Sequence, residues 1–261
     1  MKNIYQDITK TLTLSCLIAM VGLSVSIPSW SASEEIQVYS DDKEDAGASS
    51  VDFHNNYTMG SRKTPQYLGE QAPNNVYRLT PEFNFGLTDT LELGVYLLTT
   101  RSPSGEWNSQ GYKLRLKYIA PHDNEGFFWG LNLETGKQNL AVSATPYYTE
   151  LKTILGWNQE KWKYAVNFNT AGSSNTGAGP LSEEVSFKIN YVLDGVTQVG
   201  LESYNELGPL RSFQGLSSNS KTIFGVVDTE VAGHELNAGI GHGLNGESDK
   251  WIIKFIVNNK F

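Results

Sequence analysis

Apolar and polar side chains alternate with a period of two in one stretch after another, from Val51 to the last residue, Phe261. Strict alternation means a β-strand with two unlike faces, and a helix cannot satisfy it. In "VYRLTPEFNF", Tyr77, Leu79, Pro81, Phe83 and Phe85 share one side and Arg78, Thr80, Glu82 and Asn84 the other. "TLELGVYL" sets Leu91, Leu93, Val95 and Leu97 against Glu92, Gly94 and Tyr96. "YKLRLKYI" sets Tyr112, Leu114, Leu116 and Tyr118 against Lys113, Arg115 and Lys117. "WKYAVNFN", "EVSFKINYV" and the closing "KWIIKFIVNNKF" repeat the pattern, the last with Trp251, Ile253, Phe255, Val257 and Phe261 in phase. Similar runs near 51–59, 127–135, 150–157, 197–205, 222–231 and 235–242 bring the total to about twelve strands. Almost nothing in the chain suggests a helix.

Two folds use such strands. A soluble sandwich turns the apolar face inward, whereas a membrane barrel turns it toward lipid. The runs reach about ten residues, close to the 9–11 that cross a bilayer and longer than the five or six of ordinary strands. Tyr77, Tyr112, Tyr118, Trp157, Trp162, Tyr191 and Trp251 stand at the ends of the apolar faces, where interfacial girdles belong. Connections also alternate in length. Short ones fall at 87–89, 121–124, 158–161, 194–196 and near Ala232–Gly233. Longer Ser/Gly/Asn/Pro-rich ones fall at 60–74, 101–109, 136–147, 171–182 and 206–218, with a shorter last one at 244–248. The expected fold is therefore all-β: a transmembrane, antiparallel, up-and-down β-barrel of about 12 strands over 51–261. An even strand count puts both termini on the short-turn, periplasmic side.

Energetics orient the strands. A Lys or Arg on the lipid face at midplane costs roughly 2–4 kcal/mol, so Lys113, Arg115 and Lys117 must line the interior. The same phase predicts a lumen lined by Arg78, Glu82, Glu92, Glu134, Lys152, Lys188, Glu202, Asp228 and Lys254. Trp251, Phe255 and the terminal Phe261 then face lipid and form the assembly signal read by the barrel assembly machinery. Twelve strands at about 4.8 Å spacing and about 40° tilt give a backbone diameter of roughly 24 Å. A "DGV" turn at 194–196 would pair Leu193 with Thr197, Ile189 with Leu201, and Lys188 with Glu202.

The N-terminal region reads differently. Residues 1–32 have Lys2 and Lys10, a short apolar core at Leu12–Ile27, then Pro28 and small residues. This is the pattern of a cleaved signal peptide, the apolar run being shorter than the roughly 20 residues of a spanning helix. Residues 33–50 are acidic and rich in small side chains, and are expected as a periplasmic segment, extended or tucked into the domain. The one cysteine, Cys16, lies in the signal, so neither disulfides nor a thiolate metal site are expected in the mature chain.

A formal net charge of −8 argues against nucleic acid as a partner. "GIGHGLNG" (239–246) leads into a strand and not a helix, so a phosphate loop is not expected. His54, His122, His234 and His242 lack metal-ligand spacing; His122 and His234 fall at turns, and His54 and His242 are expected to point inward near the rims. The serines cluster in loops with no histidine companion. No catalytic residue, metal or cofactor is expected.

Several stretches resemble a family of Gram-negative outer-membrane proteins related to transporters of the meta-pathway of phenol degradation: "EIQVYSDD" (35–42), "RLTPEFNFGLTDTLELGVYL" (78–97), "KLRLKYIAP" (113–121), "SYNELGPLRS" (203–212), "FGVVD" (224–228) and "GIGHGLNGESDKWIIK" (239–254). They are spread across the whole mature chain and are structural in character. The resemblance implies an outer-membrane channel or transporter for small organic solutes, with outer-membrane lipid as its surroundings, and assigns no ligand residues. The alternatives are a non-conducting structural or interaction barrel and, behind it, a membrane-embedded lipid hydrolase.

Overall fold

The structure, a computed structural model, describes residues 35–173, 180–210 and 219–261. The expected signal peptide (1–32) lies outside the described residues. Twelve strands follow one another: β1 (Ser49–Met59), β2 (Tyr77–Thr88), β3 (Leu91–Arg101), β4 (Trp107–Ile119), β5 (Gly126–Gln138), β6 (Tyr147–Asn158), β7 (Trp162–Gly172), β8 (Ser182–Val192), β9 (Gln198–Pro209), β10 (Lys221–Val231), β11 (His234–Gly243) and β12 (Trp251–Lys260). Each pairs antiparallel with its sequence neighbours, and β1 pairs with β12, so the sheet closes into a barrel without an edge. At the seam Ser50 faces Lys260 and Met59 faces Trp251, and the Phe261 amide donates to the Ser49 carbonyl at 3.1 Å. No helix among the described residues is long and apolar enough to cross a membrane; the crossing elements are strands.

The two faces follow the alternation. On β4, Lys113, Arg115 and Lys117 are buried while Leu114 and Leu116 are exposed. On β12, Lys254 is buried while Trp251, Ile253 and Phe255 are exposed. The charged face is the interior and the greasy face is the outside, as a lipid surround demands. Leu193 bonds the Thr197 carbonyl, Ile189 pairs with Leu201, and Lys188 with Glu202, which is the register the three-residue turn dictates. At the β10–β11 hairpin, Ala232 (φ 53°) and Gly233 (φ 84°) form the two-residue connection, both left-handed as such a turn requires.

Three differences from the sequence reading have physical causes. The loop expected at 101–109 shrinks to 102–106, because Arg101 and Trp107 still pair across β3 and β4, with a register shift between Leu98 and Thr99 absorbing the offset. His242 does not point inward: it pairs with Trp251, whose side chain faces outward, and the two rings lie 4.4 Å apart. The third concerns the boundary at 50: Ser49 and Ser50 already belong to β1. Of the two arrangements open to the segment before it, extended or tucked into the domain, residues 35–44 take the second and run into the lumen.

That segment enters at the short-turn rim. The Gly47 amide donates to the Gly86 carbonyl (2.8 Å) and the Gly86 amide to the Ala48 carbonyl (3.0 Å). Backbone approaches so closely here that a Cβ on Gly86 would sit 2.0 Å from the Asp45 carbonyl oxygen. From this seat the chain climbs to Glu35 at mid-height, level with the middle of β4.

Candidate functional site

Inward side chains of the strands form two charged networks on opposite parts of the wall. The first belongs to β1–β6. Arg115 contacts Glu82 (3.0 Å) and Glu92, and donates to Asn84 (2.8 Å). Lys117 meets Glu92 at 3.1 Å, and Lys113 meets Glu134 at 2.9 Å. Lys152 lies 3.4 Å from Glu150 and 3.9 Å from Glu134. His54, fully buried, bonds Glu82 at 2.9 Å. The second network belongs to β8–β12. Lys188 contacts Glu202 (3.4 Å) and Asp228 (2.9 Å), Lys254 contacts Glu202 (2.5 Å), and Tyr204 donates to Glu202 (2.6 Å). Arg78 is buried and donates to Thr58 at 3.1 Å. The twelve residues named as lumen-lining lie in the inward phase of their strands. Some of their contacts join neighbouring strands, as Arg115 with Glu92 does, and others reach over intervening ones: Arg115 on β4 to Glu82 on β2, Lys188 on β8 to Asp228 on β10, and Lys254 on β12 to Glu202 on β9.

What crosses the bore is the segment 35–44. Its Glu35 takes Lys113 at 3.0 Å. Tyr39 is wholly buried: its amide donates to Asn167 Oδ1 (2.7 Å), and Asn167 Nδ2 donates back to the Tyr39 carbonyl (2.9 Å). The Tyr39 hydroxyl donates to Glu35, accepts from Arg115 (3.3 Å) and lies 2.9 Å from the Tyr96 hydroxyl. Lys152 Nζ stands 4.1 Å from the centre of its ring, with Lys117 and the Arg115 guanidinium within 6 Å, a cation–π cluster removed from water. Lys254 donates to the Ile36 carbonyl (2.9 Å), tying the segment to the second network. Lower down, the Glu44 amide donates to Glu92 (2.5 Å), Asn158 donates to Asp41 (2.7 Å), and His122 lies 3.6 Å from Asp41.

Apolar contacts complete the seal. Val38 and Tyr39 pack with Ile119, Phe128, Ile154 and Ala165, and Ile36 packs on Phe224, Val226 and Ile252. These wall residues sit in the lumen phase of their strands, where a water-filled pore would carry polar groups. Phe128 fits only because position 156 is glycine; a Cβ there would lie 2.0 Å from its ring. The polar–apolar count along each strand hides this group. Its one sequence signal is bulky apolar residues on the charged face of β4, β5, β6, β10 and β12.

A closed twelve-stranded antiparallel barrel with charged side chains inside and apolar ones outside is the fold of a transmembrane β-barrel. Solved structures agree at the level of the fold. The chain is similar to an outer-membrane channel from Pseudomonas putida F1 (TM-score 0.61, 13% identity, 87% of this chain and 100% of that one). It is also similar to the KdgM porin in complex with oligogalacturonate (0.54, 11%, 81% and 99%) and to the NanC porin (0.52, 8%, 80% and 97%). No family model matches the chain and no curated protein matches it. The likeness to phenol-pathway transporters therefore rests on the quoted sequence stretches alone.

Proposed function

We propose that the protein is an outer-membrane channel for small polar or amphipathic solutes, closed at rest by its own segment 35–44, with both termini periplasmic. The observation that carries this reading is the way the segment is held. It sits in the bore through side-chain contacts and single backbone bonds and adds no strand to the barrel ladder, so it can leave without unpairing the sheet. Once it is out, Lys113, Arg115, Lys117 and Lys152 face the aqueous path together with Glu82, Glu92 and Glu134, and pore width and charge set selectivity. The KdgM and NanC likenesses support a porin-type role without naming the solute.

A structural barrel is the second reading, favoured by how completely the lumen charges are paired. The lipid-hydrolase reading has less to support it. His54 is engaged by Glu82, His122 lies 3.6 Å from Asp41, and the His242 ring lies tilted against that of Trp251. Planar-bilayer recording of wild type and of a chain lacking residues 35–44 decides between channel and structural barrel. The deletion should conduct in larger, longer steps than wild type. If both folded proteins are silent, the structural barrel stands.

A further inference from the structure

Asp52 and His54 are two residues apart on the inward face of β1, and Glu82 on β2 is the direct cross-strand partner of Asp52. A pair at i and i+2 on one strand with a third residue on the neighbouring strand converges three side chains on one point above the sheet. One donor atom from each of the three lies within 4.8 Å of the others. We propose that Asp52, His54 and Glu82 form a divalent-cation site in the lumen wall.

The donor set is one imidazole nitrogen and two carboxylate oxygens, which suits zinc and related first-row ions. The separation suits it too. His54 Nε2 and Glu82 Oε2 are 2.9 Å apart, near the roughly 3.3 Å edge between ligands of a tetrahedral ion with bonds of about 2.0 Å. The ion takes the place of the proton that now bridges these two atoms. Asp52 is already oriented: Asn84 and Asn258 each donate to one of its oxygens at 2.8 Å, leaving further lone pairs on both. Arg115 holds the other oxygen of Glu82 at 3.0 Å and stays there when Oε2 turns to the ion.

His54 is 1% exposed, yet its Nδ1 has no hydrogen-bond partner among the described residues. A buried imidazole with only one of its two bonds made is costly as a purely structural group. Local charge points the same way. At the site itself the two carboxylates Asp52 and Glu82 face one guanidinium, that of Arg115, which is shared with Glu92.

The test is calorimetric titration of zinc into the full refolded protein after chelator treatment. Folding of every variant is checked by heat-modifiable gel migration. Wild type should bind one ion per chain and release about one proton, read from the dependence of the heat on buffer ionisation. His54→Ala should weaken binding at least tenfold. Asp52→Asn, which keeps the shape and one of the two acceptor oxygens, should do the same if His54→Ala fails to fold. A His122→Ala/His234→Ala double variant should bind like wild type. Anomalous diffraction at the zinc edge should place the ion between β1 and β2. No stoichiometric binding by wild type, equal binding by the folded His54→Ala or Asp52→Asn proteins, or loss confined to the His122/His234 variant would each overturn the site.

Discussion

Gly86 shows how much of the lumen architecture hangs on one missing Cβ. The segment's backbone turns against it, and any side chain there meets the Asp45 carbonyl. Gly86→Val should therefore lift the segment without altering a charge. The measurement is maleimide labelling of a Val38→Cys reporter in a Cys16→Ser background. Labelling should be slow in the parent, where Val38 is buried, and at least tenfold faster with Gly86→Val; equal rates would show that the segment is held from within the lumen alone. Asp194 is a second position where one side chain sets local behaviour. It sits in the β8–β9 turn and accepts hydrogen bonds from the Val196 (2.8 Å) and Thr197 (2.6 Å) amides, which hold its carboxyl below the usual range. A carboxylate with a lowered folded-state pKa adds stability above its unfolded value of about 3.9, and that stability is lost as pH falls through the folded value. Asp194→Asn keeps an acceptor but no charge. The stability gap between wild type and Asp194→Asn in urea unfolding should be present at pH 7 and should narrow below about pH 4.

Among the elements, the hairpins carry the clearest local instructions. Ala232 is one of two non-glycine residues among those described with positive φ, and a Cβ there costs roughly 1–2 kcal/mol. Asparagine tolerates this region better and is favoured ahead of glycine in such turns, so Ala232→Asn should raise unfolding stability by up to about 1 kcal/mol, read in detergent-micelle urea titrations. The strands themselves were legible from period two, because each inward charge sits opposite lipid-facing apolar neighbours and a slip would expose it to the bilayer. The Lys188–Glu202 register followed from turn length alone. What the alternation could not show is where its own rule relaxes. Phe128, Ile154, Phe224 and Ile252 are apolar on the charged face, and the reason lies in a non-local partner, the segment around Ile36–Tyr39. The acidic text of that segment left open whether it lay extended or tucked into the domain. Its carboxylates and amides are in fact answered by Lys113, Asn158 and Glu92, contacts that no local pattern encodes. His54 was equally opaque, since its companions Asp52 and Glu82 converge only once β1 and β2 are in register.

At the level of the whole molecule, the lumen carries two charged networks bridged by the segment 35–44, with Arg115 near the hub of the first. Removing that side chain leaves Glu82 and Glu92 short of a partner and frees one side of Tyr39. Breaking a buried ion pair in this way typically costs about 3–5 kcal/mol. Arg115→Ala should therefore unfold at lower denaturant and, where folded, conduct more in planar bilayers than wild type. Identical conductance would show that Tyr39 is retained by Asn167 and Lys152 alone. The segment also imposes an order of events. Tyr39 is bonded to Asn167, 128 residues away, and Ile36 to Lys254, 218 residues away. Although it precedes the barrel in the chain, its binding pocket is complete only when β12 has arrived. Contacts of such long sequence range form late and slowly. The seat of the segment is therefore finished only when β12 is in place, so closing the barrel and filling its bore are coupled steps.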